Sequence, residues 1–247
     1  FKVMNASKRV DFIKNWITNY IQSMPKKASA LVVGVSGGID SAVVSTISSM
    51  TGLKTFVLSM PIKQIKTQDD LSKLHCKWLV SNFKNVSYLN VDLDNVFSSF
   101  ENALGENNSE HAFANSRARL RMTTLYQVAG SNNGIVVGTG NKVEDFGVGF
   151  YTKYGDGGVD ISPIADCTKS QVWEMGEFLE IDHKIISAPP TDGLWVDGRN
   201  DEDQLGMTYK ELEEAMENPK SENYNKYLKI RENNLHKIKE IPVCKFD

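Results

Sequence analysis

Apolar residues at Val10, Ile13, Trp16, Ile17, Tyr20 and Ile21 recur at helical spacing, which predicts an amphipathic helix ending before Pro25. The pattern then changes period. Residues 30–35 form a short Val-rich apolar run bounded by polar residues, the mark of a strand buried on both faces. A helical pattern follows over 40–50, a second strand over 55–61 and a helix marked by Leu71, Leu74, Trp78 and Leu79. Thr67 is the expected N-cap of that helix, with Asp69 and Asp70 in its first turn. A third strand is predicted at 86–91, helices at 94–104 and 112–129, and a fourth strand at 134–140.

Short strands alternating with longer helices predict an α/β fold, a doubly wound, mostly parallel sheet with helices on both faces. Ligands of such sheets lie beyond the carboxyl ends of the strands, where strand order reverses, so the loops after Val35, Leu58 and Val137 are the informative ones. Beyond Gly140 the periodicity fades. "GVGFYTKYGDGGVD" (147–160) and "APPTDGLWVDGRNDEDQ" (188–204) are long, rich in Gly, Asp and aromatics, and of the kind that carries function. Helical patterns return at 168–179, 209–217 and 224–233.

Composition narrows the function classes. The 247 residues fit one large domain, and their net charge of −3 argues against nucleic acid or an anionic membrane as partner. Cys76, Cys167 and Cys244 are scattered and lack CxxC spacing, as expected of reduced thiols in a cytoplasmic protein. No apolar run is long enough to span a membrane, and no signal peptide is visible in the sequence.

The chemistry starts at "GVSGGIDS", residues 34–41. Gly37 and Gly38 let the backbone fold into a concave nest of N–H groups, and the following helix adds its positive end. Ser36 and Ser41 can donate hydroxyl hydrogen bonds to an anion there. Asp40 would be repelled by phosphate unless a cation lay between them, which points to Mg²⁺. A tight turn with a capping acid is the plainer alternative. No Lys follows the glycines, so this is not a Walker A loop.

"SGGIDS" resembles the SGGxDS loop of the pyrophosphate-loop synthetases, which include NAD, GMP and asparagine synthetases and tRNA thiolation enzymes. The resemblance implies an adenine nucleotide alpha-hydrolase-like fold and ATP cleaved between its α and β phosphates. Gly34, Val35, Ser36, Gly37, Gly38, Ile39, Asp40 and Ser41 would form the ATP loop.

Four further segments are similar to the ammonia-dependent NAD synthetases. In "NSRARLRM" the resemblance gives Arg119 to deamido-NAD; Arg117 and Arg121 share another helix face, which could be a solvated basic one. In "VVGTGNKVE" it gives Thr139 to ATP and Glu144 to Mg²⁺ beside Asp40, with Gly140-Asn141 where members often carry Asp-His. In "YTKYGDGGVDISPIADCTKSQV" it gives Lys153 and Asp160 to deamido-NAD and Lys169 to the ATP phosphates, although Thr168-Lys169 also reads as an ordinary helix start. "KYGDGG" separates this subgroup from GMP and asparagine synthetases. Finally, Thr191 of "APPTDGLW" matches an ATP contact and His236-Lys237 of "NLHKIKEIP" a pair near the dinucleotide.

What the resemblance implies is amidation of deamido-NAD by ammonia through an acyl-adenylate, with Asp40 and Lys169 as the catalytic groups, ATP as co-substrate and Mg²⁺ as cofactor. A single synthetase domain over residues 1–247, without a glutaminase domain, acting as a homodimer, is expected. The "WVDGRNDEDQ" stretch reads as a lid that excludes water. A non-catalytic adenine-nucleotide sensor could share the loop, since fold does not fix function. The second carboxylate and Lys169 favour turnover.

Overall fold

The computed structural model describes residues 4–195 and 197–246. Four parallel strands make the sheet: β1 (Ala30–Gly34), β2 (Lys54–Ser59), β3 (Val86–Asn90) and β4 (Gly134–Val136), in the order β3-β2-β1-β4. β1 pairs with β2 from Ala30 opposite Lys54 and with β4 from Ala30 opposite Gly134. The chain winds outward through β2 and β3, then crosses back to β4. The reversal falls between β1 and β4, where a doubly wound sheet opens a crevice.

The continuous apolar run of β1 is explained by burial on both faces. Leu31 and Val33 pack with α1 (Ala6–Ser23), α2 (Ile39–Met50) and α6 (Lys169–Phe178). Val32, one residue out of phase, packs on the opposite face with Phe97 of α4 (Asp94–Leu104) and Phe113 and Ala129 of α5 (Glu110–Ser131). Between β2 and β3 lies α3 (Lys66–Asn82), which buries Cys76 and Leu79 against Val57 and Val86. A separate cluster joins α9 (Tyr209–Glu217) and α10 (Tyr224–Ile238) to a π-helical turn, Lys142–Val148, through Val143, Val148, Tyr209, Leu212 and Tyr227. Short helices α7 (His183–Ile186) and α8 (Asp201–Leu205) complete the chain. Among the described residues no helix is long and apolar enough to cross a membrane.

Local expectations needed correcting. Ile65, not Thr67, caps α3, because the helix starts one turn earlier than its apolar pattern and has no side-chain cap bond. The fourth strand stops at Val136, with Val137 making only an isolated bridge to Ile161. The 188–204 segment ends in α8, closed by a reciprocal Asn200–Asp203 capping box that apolar periodicity does not reveal.

Candidate active site

β1 delivers the chain to its carboxyl end and α2 carries it away, so the connecting turn sits at the reversal of strand order. Gly37 has φ +93°, and a Cβ there would lie 2.6 Å from the Gln68 carbonyl oxygen of α3. Backbone conformation and helix packing each demand glycine. Gly38 caps α2 without a side-chain bond, leaving the first amides of the helix for an anion. The serines brace the turn from within. Ser41 Oγ accepts from the Ser36 amide at 3.0 Å, and Ser36 Oγ accepts from the Gly38 amide at 3.2 Å. Below it, the Ser72 hydroxyl of α3 donates to the Val35 carbonyl.

Asp40 lies in the first turn of α2, Glu144 in the π-helical turn and Lys169 at the start of α6. They converge. The Lys169 ammonium is 2.7 Å from Asp40 Oδ2 and 3.2 Å from Glu144 Oε1. Thr168 and Gln171 form a reciprocal capping box, so the ordinary helix start is real and the same turn aims Lys169 inward. Burial by itself would lower the Lys169 pKa, but Asp40 and Glu144 hold it above the usual lysine range. Burial pushes the Asp40 carboxyl up to about 6 against the pull of that ammonium. A cation at a helix N-terminus opposes the dipole; two facing carboxylates offset that cost.

Three residues missed in the sequence complete the centre. Asn141 is fully buried, donates to Asp40 Oδ2 at 3.2 Å, and accepts from the amides of Val143 and Glu144. It stands beside Gly140, where a side chain would occupy the space taken by the Asp145 carboxyl. Tyr209 of α9 places its hydroxyl 2.5 Å from Glu144 Oε1 and 3.0 Å from Asp201 Oδ2. Asp201 heads α8 and is buried. The adjacency of Asn141 to Glu144 was an available signal. Tyr209 and Asp201 had none beyond their place near a Gly/Asp-rich loop.

The centre forms the floor of a cleft of about 490 Å³. Residues 34–41, Thr139, Glu144, Lys169 and Thr191 all line it. Thr191 Oγ1 donates to the Arg199 carbonyl and accepts from the Gly193 amide, which shapes the 188–200 wall. Arg121 also lines the cleft, and Arg117 is buried on Glu110 and the Leu194 carbonyl. A solvated basic face therefore holds for neither. Arg121 Nε donates to the Met60 carbonyl at 2.9 Å, its Nη2 is buried with no partner among the described residues, and burial lowers its pKa to about 10.

Five predicted residues lie outside this cleft. Arg119 is exposed and donates to the Lys153 carbonyl at 3.1 Å, while the Lys153 ammonium stands over the Tyr154 ring. Asp160 accepts from the Tyr126 hydroxyl and the Val136 amide, bracing β4. Lys237 donates to the Tyr151 carbonyl at 2.8 Å, and His236 is exposed beside it near the end of α10.

The donor set fits a hard divalent cation. Asp40 and Glu144 already converge on one positive charge, and Asp40 Oδ1 is buried with no partner among the described residues. Among the described residues no group of three or more His, Cys, Asp or Glu is arranged as a metal cage. Two carboxylates suit Mg²⁺, which takes its remaining oxygens from water and substrate phosphate.

Comparison with known proteins adds the family. The family model described as NAD synthase matches residues 9–244. The NH(3)-dependent NAD(+) synthetase of Carboxydothermus hydrogenoformans is 38% identical over 85% of each chain. That of Mesoplasma florum is 37% identical over 92% of this chain and 91% of its own. The structure of NMN synthetase from Francisella tularensis superposes with a TM-score of 0.90 at 30% identity, covering 98% of this chain and all of the other.

Proposed function

The chain belongs to the NAD synthase family, and we propose that it amidates deamido-NAD to NAD with ATP and ammonia. The observation that carries this reading is the convergence of Asp40, Glu144 and Lys169 beside a glycine turn at the strand-order reversal. The turn amides, the α2 N-terminus and Lys169 suit a triphosphate, with Thr139 and Thr191 as further ATP contacts on the cleft wall. Asp40 and Glu144 would hold Mg²⁺, which when bound neutralises phosphate charge and acts as a Lewis acid.

The reaction begins when a carboxylate oxygen of the acid substrate attacks the α-phosphorus of ATP, forming a C–O–P linkage as the bond to pyrophosphate breaks. Ammonia then attacks the activated carbonyl carbon; AMP leaves with the electron pair and a proton is released, giving the amide. No protein nucleophile is needed, so the chain's task is to orient and to stabilise charge. Lys169 supplies a fixed positive charge against pyrophosphate, and the braced turn keeps its amides in place without reorganisation.

Arg119, Lys153, Asp160, His236 and Lys237 are assigned to the acid substrate. Their position outside the ATP cleft fits a long substrate whose far half extends over the surface, within a homodimer whose second copy covers that half. A second reading is favoured by a specific likeness, the TM-score of 0.90 to a structure named NMN synthetase. On it the substrate is nicotinate mononucleotide, which lacks the adenylyl half. The test is to supply ATP, Mg²⁺ and ammonium with either acid and to measure AMP, pyrophosphate and amide product. A kcat/KM at least about tenfold higher for deamido-NAD supports the first reading; the reverse preference establishes the second. Nucleotide binding without pyrophosphate release from either acid would overturn both.

A further inference from the structure

Asp40, Glu144 and Asp201 bring three carboxyl groups to one centre, and among the described residues Lys169 is the cation ion-paired there. One ammonium for three carboxyl groups leaves the centre short of positive partners. Hydrogen bonding is short as well. Tyr209 has a single hydroxyl proton, yet its oxygen lies 2.5 Å from Glu144 Oε1 and 3.0 Å from Asp201 Oδ2. Only one of those oxygens can receive it at a time. Asp201 is 5% exposed, its Oδ1 is buried with no partner among the described residues, and the residue lines the same cleft as Asp40 and Glu144. Its backbone amide donates a hydrogen bond to the Pro190 carbonyl at 2.8 Å, which fixes the backbone that carries the carboxylate.

We propose that Asp201 is a positioning residue for the divalent-cation site, acting on Glu144 through the Tyr209 hydroxyl. By competing for that proton, Asp201 loosens the hold of the Tyr209 hydroxyl on Glu144 Oε1, leaving more of that carboxylate's charge for a cation beside Asp40. Without the Asp201 charge, Tyr209 donates permanently to Glu144 and weakens it as a ligand. Outer carboxylates that orient and charge an inner ligand in this way affect metal affinity by about 10–100-fold. The inference rests on the Asp40–Glu144 cation site of the proposed reaction and does not depend on which acid is amidated.

The test uses Mn²⁺ as the probe, with its free concentration read by electron paramagnetic resonance in the presence of α,β-methylene ATP. Asp201→Asn should weaken Mn²⁺ binding about tenfold or more, and Asp201→Glu should restore most of it. In a Tyr209→Phe background the same Asp201→Asn change should cost less than about threefold, because the hydroxyl it acts through is gone. Metal-free nucleotide affinity and the thermal midpoint are recorded for each variant. Unchanged Mn²⁺ affinity in Asp201→Asn overturns the inference, as does an undiminished loss in the Phe background. Loss of Mn²⁺ together with metal-free nucleotide binding shows a merely structural role and also overturns it. A wild-type protein that takes up no Mn²⁺ with the nucleotide would sink the cation site itself, a separate result.

Discussion

The Lys169 ammonium and the Asp40 carboxylate, 129 residues apart in the chain, meet at 2.7 Å. Each comes from the first turn of a different helix, and the pair is mostly shielded from water, with side-chain exposures of 4% and 15%. Breaking a pair of this kind leaves an uncompensated buried charge.

Lys169→Met should therefore destabilise the ligand-free protein by about 3 kcal/mol and slow amidation by about 10²–10³-fold. The stability deficit should grow with pH. Without the ammonium the Asp40 carboxyl titrates still further above its unfolded value, so folding favours the protonated acid and is weakened as the proton is lost. Thermal midpoints of variant and wild type at pH 5 and pH 8 check the sign. An equal deficit at both would show that the pair is not the source.

Gly37→Ala tests the turn. Its φ of +93° and the 2.6 Å approach to the Gln68 oxygen should cost about 2 kcal/mol or more and weaken ATP binding. Calorimetric titration with ATP shows whether the anion nest is lost. Wild-type affinity would mean that the turn can be re-formed without glycine.

His75 carries a prediction about acid. Its Nε2 lies 3.1 Å from the Ala42 carbonyl oxygen beneath the turn, and burial holds the imidazole down to about 4. The unfolded chain takes up that proton near pH 6.5 and the folded chain only near its depressed value, so stability is full above pH ~6.5 and falls as pH drops through this window. The loss is on the order of 3 kcal/mol at most. Unfolding curves from pH 7 to 4.5 should be less pH-dependent in His75→Asn than in wild type, after subtraction of the constant difference between them. Parallel curves would remove His75 as the cause.

Arg119 and Arg121 should separate kinetically. Arg119 faces out beside Lys153, whereas Arg121 lines the cleft with an Nη2 that is buried and has no partner among the described residues. Arg119→Ala should raise the KM for the acid substrate about tenfold with little change for ATP, and Arg121→Ala the KM for ATP by a similar factor, as expected for losing a charged hydrogen bond. Initial rates with each substrate varied in turn give the split; equal effects on both substrates would refute the division.

The sheet was legible because its signals are local. Leu31, Val32 and Val33 form an uninterrupted apolar run only where both faces are covered, and Gly37 marks a turn that no bulkier residue fits. The arginine helix shows the limit. Its periodicity separated Arg119 from Arg117 and Arg121, but which face met solvent depended on β4, β2 and the 188–194 wall.

The sequence alone determined the alternation of strands and helices, the glycine turn and the family likeness, since each is written in residues close together in the chain. Only the tertiary structure decided that Lys169 is shared between Asp40 and Glu144, and that Asn141, Tyr209 and Asp201 enclose them. Those partners come from separate elements, and buried charges select them by distance and shielding, quantities that spacing along the chain does not carry.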